Sequence, residues 1–117
     1  MTTDLDLFAG IAVSDYARGL DWYERLFGSP PSFQPHDTES VWTLNEHGHV
    51  NIVLRPEDAG PSQVTLFLSD LDAFVDAAEA QGVHPESRET YDNGVRKVIF
   101  RDPDGNELGC GGAPVEP

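Results

Sequence analysis

The first segment of the chain, Leu5–Val13, is largely apolar, and its bulky aliphatic residues recur at every second position. Leu7 and Ile11 lie on one alternation, whereas Phe8 and Gly10 lie on the other. A period of two residues is typical of a β-strand whose two faces have different surroundings. The pattern therefore predicts a strand over this segment.

The spacing of apolar residues becomes helical directly after this strand. Ser14 and Asp15 offer an N-cap, because their side-chain oxygens can accept hydrogen bonds from the first turn of a helix. The apolar residues that follow at helical spacing are Ala17, Leu20, Tyr23 and Leu26. Gly28 is a typical C-terminal stop, and the prolines at 30 and 31 cannot continue a helix. The sequence therefore predicts a helix between Asp15 and Gly28.

Short strand signals follow between Ser32 and Arg55. Val41–Leu44 is rich in β-branched and aromatic residues, and residues 45–48 are typical of a turn. His49–Arg55 alternates again, with apolar residues at 50, 52 and 54. The segment Pro56–Pro61 combines prolines with a glycine and is predicted to be a linker.

The second half of the chain repeats this order of elements. Ser69 and Asp70 are a second candidate N-cap, and Gly82 is a second C-terminal stop. The strand signals around this helix are Gln63–Ser69 before it, and Pro85–Tyr91, Val95–Arg101 and Glu107–Gly111 after it. Both halves read βαβββ, which predicts an α+β protein of a single domain, 1–117. Its two modules span about 5–55 and 62–112, joined by the linker at 56–61.

Charge and composition narrow the function without identifying it. The chain has 7 Lys and Arg against 21 Asp and Glu, a formal net charge of −14. A surface of this sign repels phosphate backbones and anionic lipid, so we expect no nucleic-acid or membrane partner. No apolar run approaches the roughly 20 residues of a membrane span, and Met1–Asp6 is acidic where a signal peptide is basic. The single cysteine, Cys110, cannot form an internal disulfide, which favours a cytoplasmic location.

Three motifs in these elements resemble a known superfamily. Val13–Asp15 (VSD) precedes the first helix, Tyr23–Gly28 (YERLFG) ends it, and Phe100–Asn106 (FRDPDGN) lies near the C-terminus. With the tandem βαβββ repeat, they resemble the vicinal oxygen chelate superfamily, which includes glyoxalase I, extradiol dioxygenases and the fosfomycin- and bleomycin-resistance proteins. The resemblance covers about Leu5–Gly111. It implies curved mixed sheets around a cavity, with one helix per module on the convex face.

The resemblance also implies where a divalent metal would be held, with one ligand from each of four strands. Those positions are Phe8, a position near Val53, Gln63 and Gly109. Phenylalanine, valine and glycine side chains supply no donor atom, and glutamine supplies at most one weak oxygen. Since a catalytic metal needs about three protein ligands, we expect no metal and no other cofactor.

A relocated metal site or another catalytic centre is the alternative. His47 and His49 lie close together in the sequence, and Glu107 shares an alternation with Gly109. Surface histidines and turn carboxylates are common, however, which favours a purely structural interpretation of all three side chains. Cys110 is predicted to be a small buried side chain, because no activating base accompanies it. The pattern favours a binding protein without catalytic residues over an enzyme.

The candidate binding residues lie mostly on the alternations that would face the cavity. Phe8 takes a position where the fold directs a polar ligand inward, so it either fills the cavity or stacks on a flat ligand. Trp42 is included because its strand could contribute to the cavity wall. The full candidate set is Phe8, Trp42, His49, Asn51, Gln63, Phe67 and Glu107.

These features favour a metal-free protein that binds a small organic molecule, planar or cationic and antibiotic-like, as the bleomycin-resistance proteins do. An acidic surface would attract a cationic ligand, although it can equally serve solubility. Two other functions stay open. One is a lyase, isomerase or dioxygenase with a relocated metal or a metal-free mechanism, and the other is a protein with a filled cavity and no small ligand. The resemblance further implies a homodimer.

Overall fold

The computed structural model describes residues 4–115. The first half contains β1 (Leu7–Val13), α1 (Tyr16–Phe27), β2 (Phe33–His36), β3 (Glu39–Thr43) and β4 (Gly48–Leu54). The second half contains β5 (Gln63–Leu68), α2 (Leu71–Ala80), β6 (Ser87–Thr90), β7 (Arg96–Arg101) and β8 (Glu107–Gly112). This order confirms the predicted tandem βαβββ arrangement. Residues 1–3, part of the segment that argued against a signal peptide, lie outside the described residues.

Each half forms its own four-stranded mixed sheet. The strand orders are β1-β4-β3-β2 and β5-β8-β7-β6. The pairs β1 with β4 and β5 with β8 are parallel, and the remaining pairs are antiparallel. The first strand of each half is therefore an edge strand of its sheet, and both sheets remain open.

Both helices begin at the residues that the sequence indicated. The Asp15 side chain accepts a hydrogen bond from the Arg18 N–H, and the Asp70 side chain accepts one from the Ala73 N–H. Gly28 ends α1 with φ of 73°, a left-handed conformation that glycine adopts without steric cost. No helix among residues 4–115 is long and apolar enough to cross a membrane.

The hydrophobic core lies between the helices and one face of each sheet. The parallel and antiparallel registers place Ala9, Val50 and Trp42 in one row of the first sheet, beneath α1. Val64, Leu108 and Phe100 form the corresponding row of the second sheet. The fully buried Cys110 belongs to the same face, which confirms its prediction as a small core side chain.

A buried hydrogen-bond network joins the two modules, and we call it the module latch: Tyr23, Asp102, Asn106 and the Ala12 carbonyl. The Tyr23 hydroxyl donates to Asp102 Oδ2 over 2.7 Å, and Asn106 Nδ2 donates to the Ala12 oxygen over 2.9 Å. Asn106 Nδ2 also lies 2.8 Å from Asp102 Oδ2. The Asp-Pro-Asp-Gly-Asn turn of module two is thereby fixed against α1 and β1 of module one.

Candidate functional site

The sheet faces turned away from the helices carry most of the candidate binding residues. In module one the register aligns Phe8 with His49 and Thr43 in one row, and Gly10 with Asn51 in the next. The rows of module two are Gln63, Glu107 and Arg101, then Thr65, Gly109 and Ile99, then Phe67, Gly111 and Lys97. We call these two surfaces the concave faces.

Phe8 and His49 form a stacked pair on the concave face of module one. Their ring centroids lie 4.3 Å apart with an interplanar angle of 16°. The pair forms because β1 and β4 run in parallel with Phe8 directly beside His49. His49 is only 9% exposed, whereas Phe8 is 48% exposed. One aromatic ring therefore faces the surroundings while the other supports it from below.

Hydrogen bonds at both ring nitrogens fix the orientation of His49. Its Nε2 lies 2.9 Å from Asp6 Oδ2, and its Nδ1 lies 2.9 Å from Thr43 Oγ1. The Asp6 carboxylate can only accept, so Nε2 of His49 carries a proton and donates to it. Asp6 also binds His47 Nδ1 over 2.9 Å. Hydrogen bonds from His47 and His49 hold the pKa of the Asp6 carboxyl below its usual value.

Asn51 lies farther along the same concave face, in a polar pocket. Its Nδ2 donates to Glu39 Oε2 over 2.8 Å, and Glu39 Oε1 also lies 3.1 Å from His36 Nε2. The cavity beside Asn51 has a volume of about 440 Å³. Arg55 and Asp58, which follow β4, contribute to its wall.

The candidates of module two form two groups. Gln63 Nε2 donates to Glu107 Oε2 over 2.9 Å, and the other oxygen of Glu107 lies 3.3 Å from Arg101 Nη2. Phe67 lies at the opposite end of β5, where its ring covers Gly111: a Cβ on that glycine would come within 3.1 Å of the ring. Phe67 is 67% exposed, so most of the ring is free to contact another molecule.

A groove runs between β1 and β5, the facing edge strands of the two modules, and we call it the seam groove. Its volume is about 470 Å³. Its walls include Leu7, His49, Thr65 and Phe67. The groove therefore brings His49 and Phe67 together from different modules. Asn51, Gln63 and Glu107 do not line it.

Trp42 differs from its prediction. It is 2% exposed, packs 5.5 Å from the Phe27 ring, and donates its indole N–H to the Ser29 carbonyl over 3.0 Å. Its place opposite Val50 in the register turns it toward α1 rather than toward the concave face. The prediction that Trp42 contributes to the concave wall is therefore wrong, and the side chain belongs to the core beneath α1.

The residues at the positions implied for a metal do not fit a divalent cation. The Phe8 ring is stacked on His49, and Val53 and Gly109 carry no donor atom. The Gln63 amide is hydrogen-bonded to Glu107, and both ring nitrogens of His49 have partners. Within residues 4–115, no group of three or more His, Cys, Asp or Glu side chains is arranged to hold a metal ion.

Cys110 has the environment of a packing residue. Burial raises the pKa of its thiol to about 12, so the thiolate needed for nucleophilic attack is scarce at neutral pH. The thiol lies on the helix-facing side of β8.

Sequence patterns did not identify Asp6, Thr43 or Lys97 as site residues. Asp6 precedes β1, whereas its partners His47 and His49 belong to the other end of the module. Only the parallel register of β1 and β4 brings these segments together. The sequence did contain a signal for Lys97. Glycines at 109 and 111 leave one face of β8 without side chains, which makes room for a side chain from a neighbouring strand.

The fold is shared with solved structures of known families. A glyoxalase/bleomycin resistance protein from Catenulispora acidiphila DSM 44928 is 50% identical, with a TM-score of 0.93 over 95% of this chain and 100% of that chain. A lactoylglutathione lyase from Agrobacterium tumefaciens is 15% identical, with a TM-score of 0.76 over 97% and 96%. A bleomycin-binding protein complexed with bleomycin is 20% identical, with a TM-score of 0.74 over 95% and 99%.

The family comparison agrees with the structural one. The chain matches no curated protein. The family model described as Glyoxalase/Bleomycin resistance protein/Dioxygenase superfamily matches residues 5–109, which is nearly the whole chain. The protein therefore belongs to the glyoxalase/bleomycin resistance protein/dioxygenase superfamily.

Proposed function

We propose that this protein is a metal-free binding protein for a small, planar organic molecule. The observation that carries the proposal is the Phe8–His49 stack, in which the half-exposed Phe8 ring lies against His49, a residue that lines the seam groove. A flat aromatic surface favours a flat ligand, because offset stacking adds about 0.5–1.5 kcal/mol to the burial of apolar area. The ligand lies against Phe8 and extends into the groove toward Phe67.

The rigidity of the stack supports binding. Asp6 and Thr43 hold the His49 ring at both nitrogens, so the ring that supports Phe8 has a fixed plane. A preorganised surface loses little side-chain entropy when a ligand binds, which leaves more of the contact energy as affinity. The groove volume of about 470 Å³ lies within the 300–1,000 Å³ range typical of small-molecule sites.

The side chains at the four positions implied for metal ligands support a binding function without metal chemistry. The four implied ligand positions supply one amide, Gln63, and that amide is hydrogen-bonded to Glu107. A bleomycin-binding protein of the same fold is known in complex with bleomycin. We therefore assign an antibiotic-like compound as the ligand class and drug sequestration as the function.

Thermal denaturation with a panel of compounds tests this proposal. The panel contains bleomycin and planar aromatic compounds in neutral, cationic and anionic forms. A ligand at 100 times its Kd stabilises the fold by about 2.7 kcal/mol. We expect Phe8→Ala to abolish that shift and Phe33→Ala to retain it. Phe33 is the matched control, since it is also 48% exposed but lies on the outer strand of the same sheet.

Three results contradict the proposal. The first is that no member of the panel shifts the transition, and the second is that both phenylalanine variants lose the shift equally. The third is a stoichiometric transition metal in the purified protein, detected by elemental analysis, because a bound metal excludes a metal-free site.

We also propose that the protein is a cytoplasmic homodimer. Leu7 and Phe67 are 68% and 67% exposed, and both lie at the seam between the modules, where a second copy would cover them. The free cysteine suits a reducing compartment. Light scattering coupled to size-exclusion chromatography tests the dimer, and a mass near 12.8 kDa over the working concentration range contradicts it.

A further inference from the structure

The chain contains a single lysine, Lys97, and its charge has no partner in the described part of the protein. Arg25, Arg88, Arg96 and Arg101 form ion pairs with acidic side chains. Arg18 and Arg55 are exposed to water, whereas Lys97 is half-buried. Among residues 4–115 its ammonium forms neither a hydrogen bond nor an ion pair. In a chain with 21 acidic residues, a half-buried cation without a counter-ion is unexpected.

The position of the ammonium follows from two glycines on β8. The register places Lys97 opposite Gly111 on the concave face of module two, where Phe67 already covers that glycine. The lysine side chain instead extends diagonally over Gly109. A Cβ on Gly109 would lie 3.1 Å from Lys97 Cε and 3.7 Å from Nζ. The missing side chain at position 109 therefore makes room for the lysine.

A second donor lies beside the ammonium. The same Cβ position on Gly109 would lie 3.4 Å from Thr65 Oγ1. The Thr65 hydroxyl has no side-chain partner within residues 4–115, and Thr65 lines the seam groove. The ammonium and the hydroxyl therefore approach the same point of the concave face, and of the two residues Thr65 lines the groove.

The neighbouring carboxylates do not pair with the Lys97 ammonium or the Thr65 hydroxyl. Glu89 on β6 lies directly opposite Lys97 in the register, but its carboxylate oxygens lie more than 4.0 Å from the Lys97 ammonium. Glu107 is the acidic residue on the adjacent strand β8, and its two carboxylate oxygens already contact Gln63 and Arg101. An oxygen supplied from outside the chain is the remaining partner.

We propose that Lys97 and Thr65 form a binding subsite for a carboxylate of the ligand. The inference rests on the proposed function and adds the ligand's chemical class: a planar molecule that carries a carboxylate at one end. The ammonium supplies the charge and the hydroxyl a second hydrogen bond, while the planar part lies in the seam groove. The ammonium lies beside Gly109, one of the positions that the family resemblance implies for a metal ligand.

A matched pair of probes tests the carboxylate preference: 2-naphthoate and its neutral isostere 2-naphthamide, titrated by calorimetry. We expect the wild-type protein to bind the carboxylate about tenfold or more tightly, as one charge-assisted hydrogen bond allows. Lys97→Met should remove the difference, and Lys97→Arg should keep most of it. Arg18→Met is the control, because it removes the same charge from an exposed position on α1. Equal affinity for both probes, or equal losses in Lys97→Met and Arg18→Met, overturns the subsite.

A second measurement separates failure of the subsite from failure of the proposed function. Reductive ¹³C-methylation keeps the lysine charge and gives Lys97 its own methyl signal in NMR spectra. Acetate, titrated at constant ionic strength, should shift that signal saturably, and Thr65→Val should weaken the effect. A linear or absent shift overturns the subsite even if naphthamide binds. A saturable acetate shift without binding of either naphthalene probe upholds the subsite and overturns the planar-ligand proposal.

Discussion

Removing the Tyr23 hydroxyl tests the module latch. The hydroxyl donates to Asp102 over 2.7 Å, and both side chains are buried, so water cannot replace the lost donor. A hydrogen bond to a charged group contributes about 1.5–3 kcal/mol. Asp102 keeps hydrogen bonds from the backbone N–H groups of Asp104 and Asn106 and from the Asn106 amide, which moderates the cost. We expect Tyr23→Phe to lower the free energy of unfolding by about 2 kcal/mol.

The assay is reversible denaturation in urea and by heat. A loss of that size corresponds to roughly 8 °C in Tm for a chain of this length. Tyr91→Phe is the matched control, because its hydroxyl lies on an exposed side chain and should change stability by less than about 0.5 kcal/mol. If Tyr23→Phe is as stable as Tyr91→Phe, the latch contributes nothing and the reasoning fails.

Alkaline pH gives a second readout of the same contact. Burial, and then the negative charge of Asp102, raise the pKa of the Tyr23 phenol above its usual value of 10.0. The unfolded chain therefore releases this proton first, so the stabilisation is complete below pH 10 and decreases as the pH rises further. We expect the wild-type protein to lose its advantage over Tyr23→Phe above that pH. A difference independent of pH would contradict an ionisable hydrogen-bonded phenol.

Two further predictions concern other polar groups. The folded pKa of Asp6 is lowered by its histidine partners, so its stabilisation is present above its ordinary pKa of 3.8 and is lost as the pH falls through the folded value. The difference in free energy of unfolding between wild type and Asp6→Asn, measured by urea denaturation at a series of acidic pH values, should disappear at the lowest pH. A difference that persists there would contradict the hydrogen bonds of Asp6 with the two histidines. Cys110, with a pKa of about 12 and no exposed surface, should react with iodoacetamide only after denaturation, as mass spectrometry can show. Alkylation of the native protein would mean that β8 opens readily.

The elements of the fold could be predicted because their signals are local. Asp15 and Gly28 mark the ends of α1 within a few residues of the helix, and Asp70 marks the start of α2 in the same way. The two halves share one order of elements, so each supports the interpretation of the other. The sequence motif that ends in Asn106 indicates the superfamily without reference to any three-dimensional contact.

The site was harder to predict because its contacts depend on register. Val41–Leu44 has apolar residues on both alternations, so four residues could not show which face carries Trp42. Its alignment with Val50 decided the question. The support of His49 by Asp6 likewise required the parallel pairing of β1 with β4.

The glycine beneath Lys97 also constrains how this protein could change during evolution. A mutation of Gly109 to glutamate would place a carboxylate at an implied metal position, but its Cβ would lie 3.1 Å from Lys97 Cε, so the lysine side chain would have to shift. If the stem moved aside, the carboxylate would neutralise the ammonium before it could coordinate a cation. A metal site at these positions would therefore require the loss of Lys97 as well as new donors at Phe8 and near Val53.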